Sequence, residues 1–111
     1  MAKYVIGVDG GGTKTLGAIA GEDGQVLATH EVGSTNHHSN PLEVVRRNLS
    51  ELIDTLLQKS GVARDDVACI CTGMAGVDRP DDKALVRSMM AEFLPNALSV
   101  PVNDGLIALV G

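Results

Sequence analysis

The sequence predicts an α/β fold, a mixed five-stranded sheet with flanking helices. Three observations point there. Five apolar runs have strand length and are bounded by turn residues. The first three are separated only by short glycine-bearing connections, as antiparallel hairpins require. Two segments with helical periodicity then alternate with the last two runs, the pattern of crossover units.

The first strand is expected over about Lys3–Asp9 and the second over about Thr15–Gly21, with Gly10-Gly11-Gly12-Thr13-Lys14 between them. Asp23-Gly24 is a two-residue hairpin signal leading into a third strand, about Gln25–Val32. The polar stretch Gly33-Ser34-Thr35-Asn36-His37-His38-Ser39 reads as a loop. Asn40 before Pro41, with Glu43 three residues on, is a capping signature for a helix. Val45, Leu49, Leu52, Ile53 and Leu56 then recur at helical spacing until Gly61, a natural stop. The continuous apolar run Val67–Thr72 is a fourth strand of the kind covered on both faces. Pro80 opens a second helix with Leu85, Val86, Met89, Met90 and Phe93 on one side, closed by Pro95, the methionines acting as core filler. Leu98–Val102 is a fifth strand, and Pro101, unable to donate to a ladder, puts it at an edge. Leu106-Ile107-Ala108-Leu109-Val110 follows Asn103-Asp104-Gly105 as the start of an apolar helix without a polar face. The chain is therefore expected to be the first half of a longer protein.

Composition narrows the function classes. The 111 residues are one domain by size, with 44% hydrophobic and 21% charged residues as in ordinary globular proteins. Fourteen acids against nine bases give a net charge of −5, which disfavours nucleic acid and anionic membranes as partners. No apolar run approaches about 20 residues and no signal peptide is visible, so a cytoplasmic protein is expected. With one Phe, one Tyr and no Trp there is no aromatic platform for stacking bases. Cys69 and Cys71 alternate onto one face of the fourth strand, poorly placed to bond each other, and read as small buried hydrophobes. A zinc site built on them would need Cys-x-x-Cys and a second pair, which the sequence lacks.

The segment Asp9-Gly10-Gly11-Gly12-Thr13-Lys14-Thr15 carries the chemistry. Residues without Cβ let a backbone turn tightly and bring its N–H groups to an anion, and an acid at the preceding strand end suits a hydrated Mg²⁺. It is not a Walker A loop, because Thr13 separates Gly12 from Lys14 and the segment does not open a helix. It is not a dinucleotide fingerprint, because Thr15 stands where the third glycine belongs. A plain glycine-rich hairpin remains the alternative.

These motifs, in this order, resemble the ribonuclease-H-like half of the actin-like ATPase and sugar kinase superfamily. Asp9–Thr15 is similar to its first phosphate motif, and Gly33-Ser34-Thr35-Asn36-His37 resembles the substrate loop of the N-acetylglucosamine kinase branch. Gly73-Met74-Ala75-Gly76-Val77-Asp78-Arg79-Pro80 looks like the loop after strand four in that branch, and Val102-Asn103-Asp104 like the strand end bearing the catalytic aspartate. The wider family includes the activating ATPases of benzoyl-CoA reductase and 2-hydroxyglutaryl-CoA dehydratase. The resemblance implies a sheet of order 3-2-1-4-5 with strand two antiparallel, residues 1–111 forming the amino-terminal lobe and a second lobe lying outside this chain. It implies ATP and Mg as cofactors and a small-molecule sugar, N-acetylglucosamine-like or a hexose, as substrate, and it leaves a homodimer open. Gly10, Gly11, Gly12 and Thr13 would contact the phosphates, Asp9 would hold Mg through water, Asn36 would bind sugar hydroxyls, and Asp104 would bind the sugar and accept the proton of the attacking hydroxyl. The competing assignments are an ATPase activator of a redox enzyme and a lobe with no chemistry of its own.

Single residues keep plainer alternatives. Asp104 alone is a helix N-cap, Asn36 an Asx-turn residue, His37 and His38 solvated loop residues and Lys14 a solvent-facing strand lysine. Asp78 and Arg79 alone would hold the start of the second helix.

Overall fold

The computed structural model describes residues 3–11, 13–74 and 80–101. Strands β1 (Tyr4–Gly10), β2 (Lys14–Gly21) and β3 (Val26–Gly33) come first. Helix α1 (Leu42–Ser60), a short 3₁₀ turn (Arg64–Asp66), β4 (Val67–Met74), α2 (Pro80–Phe93) and β5 (Leu98–Pro101) follow. The sheet order is β3-β2-β1-β4-β5. β2 runs antiparallel to both of its neighbours, whereas β1, β4 and β5 are parallel. This is the expected ribonuclease-H-like topology, and Pro101 does lie on an edge strand.

One face of the sheet carries the core. Ile6 and Val8 of β1, Ile19 of β2 and Ile70 of β4 pack against Val45, Leu49, Leu52, Ile53 and Leu56 of α1 and Val86, Met89 and Met90 of α2. Alternation along each strand explains the division, since successive residues point to opposite faces. On the other face Ala18 and Ala20 are buried with Val5 against them, and Cys69 is half-buried. Among the described residues both helices therefore cover the same face, and β4 is less evenly enclosed than its apolar run suggests.

Gly17 sets how closely α1 approaches. A Cβ built there would lie 2.8 Å from Leu52 Cδ1 and 3.0 Å from Leu52 Cγ. The helix ends at Gly61, whose left-handed backbone (φ 73°) lets its N–H donate to Leu57 O at 2.9 Å. Its start differs from the capping signature. Pro41 occupies the N-cap position without any side-chain cap, and its carbonyl accepts from Val44 and Val45. The Asn40 amide is used elsewhere, donating to Ser34 Oγ and to Asn36 O, each at 3.0 Å. These bonds orient the Asn40 side chain toward the loop, and the helix starts one residue later than the signature placed it, at a residue with no side-chain acceptor to offer.

Candidate functional site

Strand polarity gathers the chemistry at one end of the sheet. Gly10 of β1 pairs with Thr15 at the start of β2 and with Met74 at the end of β4. Lys14 pairs with Gly33 at the end of β3, and Thr72 pairs with Pro101 at the end of β5. The glycine turn and the loop after β3 consequently leave from the same edge, where open α/β sheets bind ligands.

The turn itself is closed by the Gly11 N–H, which donates to Lys14 O at 2.9 Å. That donor belongs to the hairpin and is not available to an anion. Thr13 is exposed at the tip. Asp9 is half-buried one residue before the strand ends and has no ion-pair partner among the described residues. An acid held in the sheet without a side-chain cation, beside an open turn, fits a hydrated divalent ion bound with a polyphosphate. Lys14 turns away toward Glu31, 3.9 Å distant with both side chains exposed, as a solvent-facing lysine.

The loop over 34–40 is wired at almost every residue. The Thr35 and Thr15 hydroxyls hydrogen-bond at 2.9 Å in the interior. Asn48 Nδ2 of α1 donates to Ser34 O at 2.9 Å. Asn36 N–H donates to Ser34 Oγ at 3.2 Å, and Asn36 Oδ1 accepts from the His38 backbone at 2.9 Å. Asn36 thus makes the Asx turn that its type allows. The same turn leaves Nδ2 as a donor without a partner among the described residues.

The histidines depart from expectation. His37 is not solvated: its side chain is 14% exposed and its ring N–H faces Asp82 Oδ1 at 2.8 Å. His38 is the more open of the two, and its Nε2 lies 3.2 Å from the same oxygen. The loop folds back on the first turn of α2, which encloses His37 and leaves Asp82 buried. Sequence reasoning missed Thr35, Asp82 and the Thr15 contact, because each depends on a partner remote in the chain.

Gly12, the loop over 75–79, Asp104 and the apolar segment after it lie outside the described residues. Cys69 and Cys71 do share one strand face, with sulfurs 3.9 Å apart. Burial pushes the Cys69 thiol up to about 11, and the adjacent Cys71 adds to the rise. A protonated thiol is a poor metal ligand, since the thiolate is the binding form.

Among the described residues no helix is long and apolar enough to cross a membrane. The chain matches the BadF/BadG/BcrA/BcrD ATPase family over residues 6–110. It is 41% identical over 109 residues to the N-acetylmuramic acid/N-acetylglucosamine kinase of Clostridium acetobutylicum, covering 98% of this chain and 36% of that protein. It is 38% identical over 118 residues to the N-acetyl-D-glucosamine kinase of Dictyostelium discoideum, covering 98% of this chain and 37% of that one. The chain therefore spans little more than a third of the length of these curated relatives. In fold it is similar to the inorganic polyphosphate/ATP-glucomannokinase of an Arthrobacter species, with a TM-score of 0.61 at 20% identity, over 91% of this chain and 44% of that one. With the topology, the glycine turn and these matches in agreement, the chain belongs to the BadF/BadG/BcrA/BcrD ATPase family.

Proposed function

We propose that the complete protein transfers the terminal phosphoryl group of ATP to a hydroxyl of an N-acetylglucosamine-like amino sugar or a related hexose. Residues 1–111 are one lobe of that enzyme, supplying the phosphate turn, a sugar contact and the catalytic carboxylate, while a second lobe closes the cleft. The observation that carries this reading is the common origin of the glycine turn and the Asn36 loop at one sheet edge, tied together by the Thr15–Thr35 hydrogen bond.

Phosphoryl transfer asks a protein mainly for positioning and charge stabilisation. The 10–13 turn would receive the polyphosphate, with the Thr13 hydroxyl at its tip. Asp9 would hold Mg²⁺ through water, the metal neutralising charge on the phosphates. Asn36 would donate Nδ2–H to a sugar oxygen, a role its Asx turn leaves open. Asp104 would take the proton of the attacking hydroxyl. The identities to curated amino-sugar kinases support the acceptor class.

The test uses full-length protein with Mg-ATP and a panel of N-acetylhexosamines and hexoses, following ADP release and phosphorylated sugar. Turnover with an N-acetylated sugar is expected, and Asp104→Ala should abolish it while sparing nucleotide binding. ATP hydrolysis unchanged by every sugar, or near-normal turnover by the Asp104 variant, would overturn the assignment.

A further inference from the structure

His37, His38 and Asp82 form a cluster that phosphoryl transfer does not use. Asp82 Oδ1 lies 2.8 Å from His37 Nε2 and 3.2 Å from His38 Nε2, and the three ligand atoms lie within 4.8 Å of one another. The two rings stand with centroids 4.1 Å apart and tilted by 36°, so both Nε2 atoms converge on one carboxylate oxygen. We propose that these three side chains bind a divalent transition metal of the zinc class, clamping the loop that carries Asn36 to the first turn of α2.

The donor set selects the metal. Imidazole nitrogen suits zinc, cobalt, nickel and copper, whereas Mg²⁺ demands oxygen ligands and retains its waters. Zinc takes nitrogen at about 2.0–2.1 Å and carboxylate oxygen at about 2.0–2.2 Å, which puts tetrahedral ligands about 3.3–3.5 Å apart. The His38 separation of 3.2 Å is close to that, whereas the His37 separation of 2.8 Å is shorter by about half an ångström or more and must open by side-chain rotation when the ion enters. Three protein ligands leave the fourth position to water. The carboxylate comes from a residue only 7% exposed, anchored in the helix, while His37 is held beside it. Without metal each ring donates its Nε2–H to the carboxylate, and ligation through Nε2 requires the neutral tautomer with the proton on Nδ1 of the same ring.

The consequence reaches Asn36. Its Oδ1 accepts the His38 N–H, so fixing His38 also fixes the Asx turn. The metal would stiffen this loop through ligands other than Asp9, the residue proposed to hold magnesium.

The test is zinc titration of chelator-stripped full-length protein without nucleotide or sugar, followed by calorimetry and, with cobalt, by visible absorption. One equivalent should bind, and the cobalt spectrum should be that of a four-coordinate ion with nitrogen and oxygen ligands. His38→Ala should weaken binding by about tenfold or more and remove the metal-dependent rise in unfolding temperature. That side chain is 57% exposed, so the variant should fold. Asp82→Asn should weaken binding similarly. Absence of stoichiometric binding would overturn the proposal. So would equal zinc affinity in the wild type, His38→Ala and Asp82→Asn proteins, and the cluster would then be a hydrogen-bonded contact only.

Discussion

Thr15 and Thr35 meet through their hydroxyls at 2.9 Å, with Thr15 0% and Thr35 1% exposed. Thr15 is the second residue of β2, just after the glycine turn, and Thr35 precedes Asn36. A single buried hydrogen bond thus joins the proposed phosphate cradle to the proposed sugar loop. A net contribution of about 0.5–1.5 kcal/mol is usual for a hydrogen bond of this kind.

Thr15→Val should therefore cost about 0.5–1.5 kcal/mol of folding stability, measured by denaturant unfolding, since the valine keeps the shape but removes the hydroxyl-to-hydroxyl bond. Thr15→Ser, which restores it, should recover most of the loss. Equal stability of the valine variant and the wild type would mean that the loop does not depend on this bond.

Gly17→Ala tests the seat of α1. The added methyl would meet the fully buried Leu52 at its branch point as well as its tips, so rotation about χ2 alone cannot relieve the contact. Overpacking of this kind costs about 1–3 kcal/mol. Replacing Leu52 with Val in the same chain should return part of it, and strictly additive losses would refute the steric account.

The succession of strands and helices was legible from the first three hairpin-linked runs and from the alternation of helix and strand that follows, because local turn chemistry and period carry that information, whereas the order 3-2-1-4-5 came from the family resemblance. The Asp9–Thr15 segment was legible as a glycine-bearing turn between two strands. The Asn36 loop was legible from its own residues only as polar, and its likeness to a substrate loop came from the resemblance. Thr35 is buried by a hydroxyl twenty positions away and Asp82 encloses a histidine forty-five positions away, and no local pattern encodes such pairings. Asn40 shows the limit of a local signature: it predicts a cap, yet the N-cap is Pro41 and the Asn40 side chain is oriented by two acceptors of the preceding loop. Gly17 sits in an apolar run whose sequence carries no sign that Leu52, thirty-five positions on, packs over it.

Cys69 gives a pH signature. Its thiol is raised to about 11, chiefly by burial and then by Cys71, against about 8.5 in an unfolded chain. The folded state then binds the proton more tightly, so this contribution to stability is complete below about pH 8.5 and is lost as pH rises toward 11. Alkylation by iodoacetamide, followed by mass spectrometry, should be slow at pH 8 and accelerate up to about pH 11. Rapid modification at neutral pH would show a thiolate that the environment of β4 should not permit.

Asn36→Asp separates structure from substrate binding. Asn36 Oδ1 holds the loop by accepting the His38 N–H, and Nδ2 is the part left for a sugar. Aspartate keeps an acceptor for the turn and lacks the donor, so folding stability should stay within about 0.5 kcal/mol of the wild type. In the full-length enzyme the lost hydrogen bond, worth about 0.5–1.5 kcal/mol, should lower kcat/KM for the sugar about threefold to tenfold. Repulsion between the carboxylate and sugar oxygens should enlarge that loss, and KM for ATP should not change. Asn36→Ala removes both functions and should lose stability as well as sugar affinity. If Asn36→Asp instead binds sugar like the wild type while Asn36→Ala does not, the residue serves the loop alone, and the sugar contact must be sought elsewhere on this sheet edge.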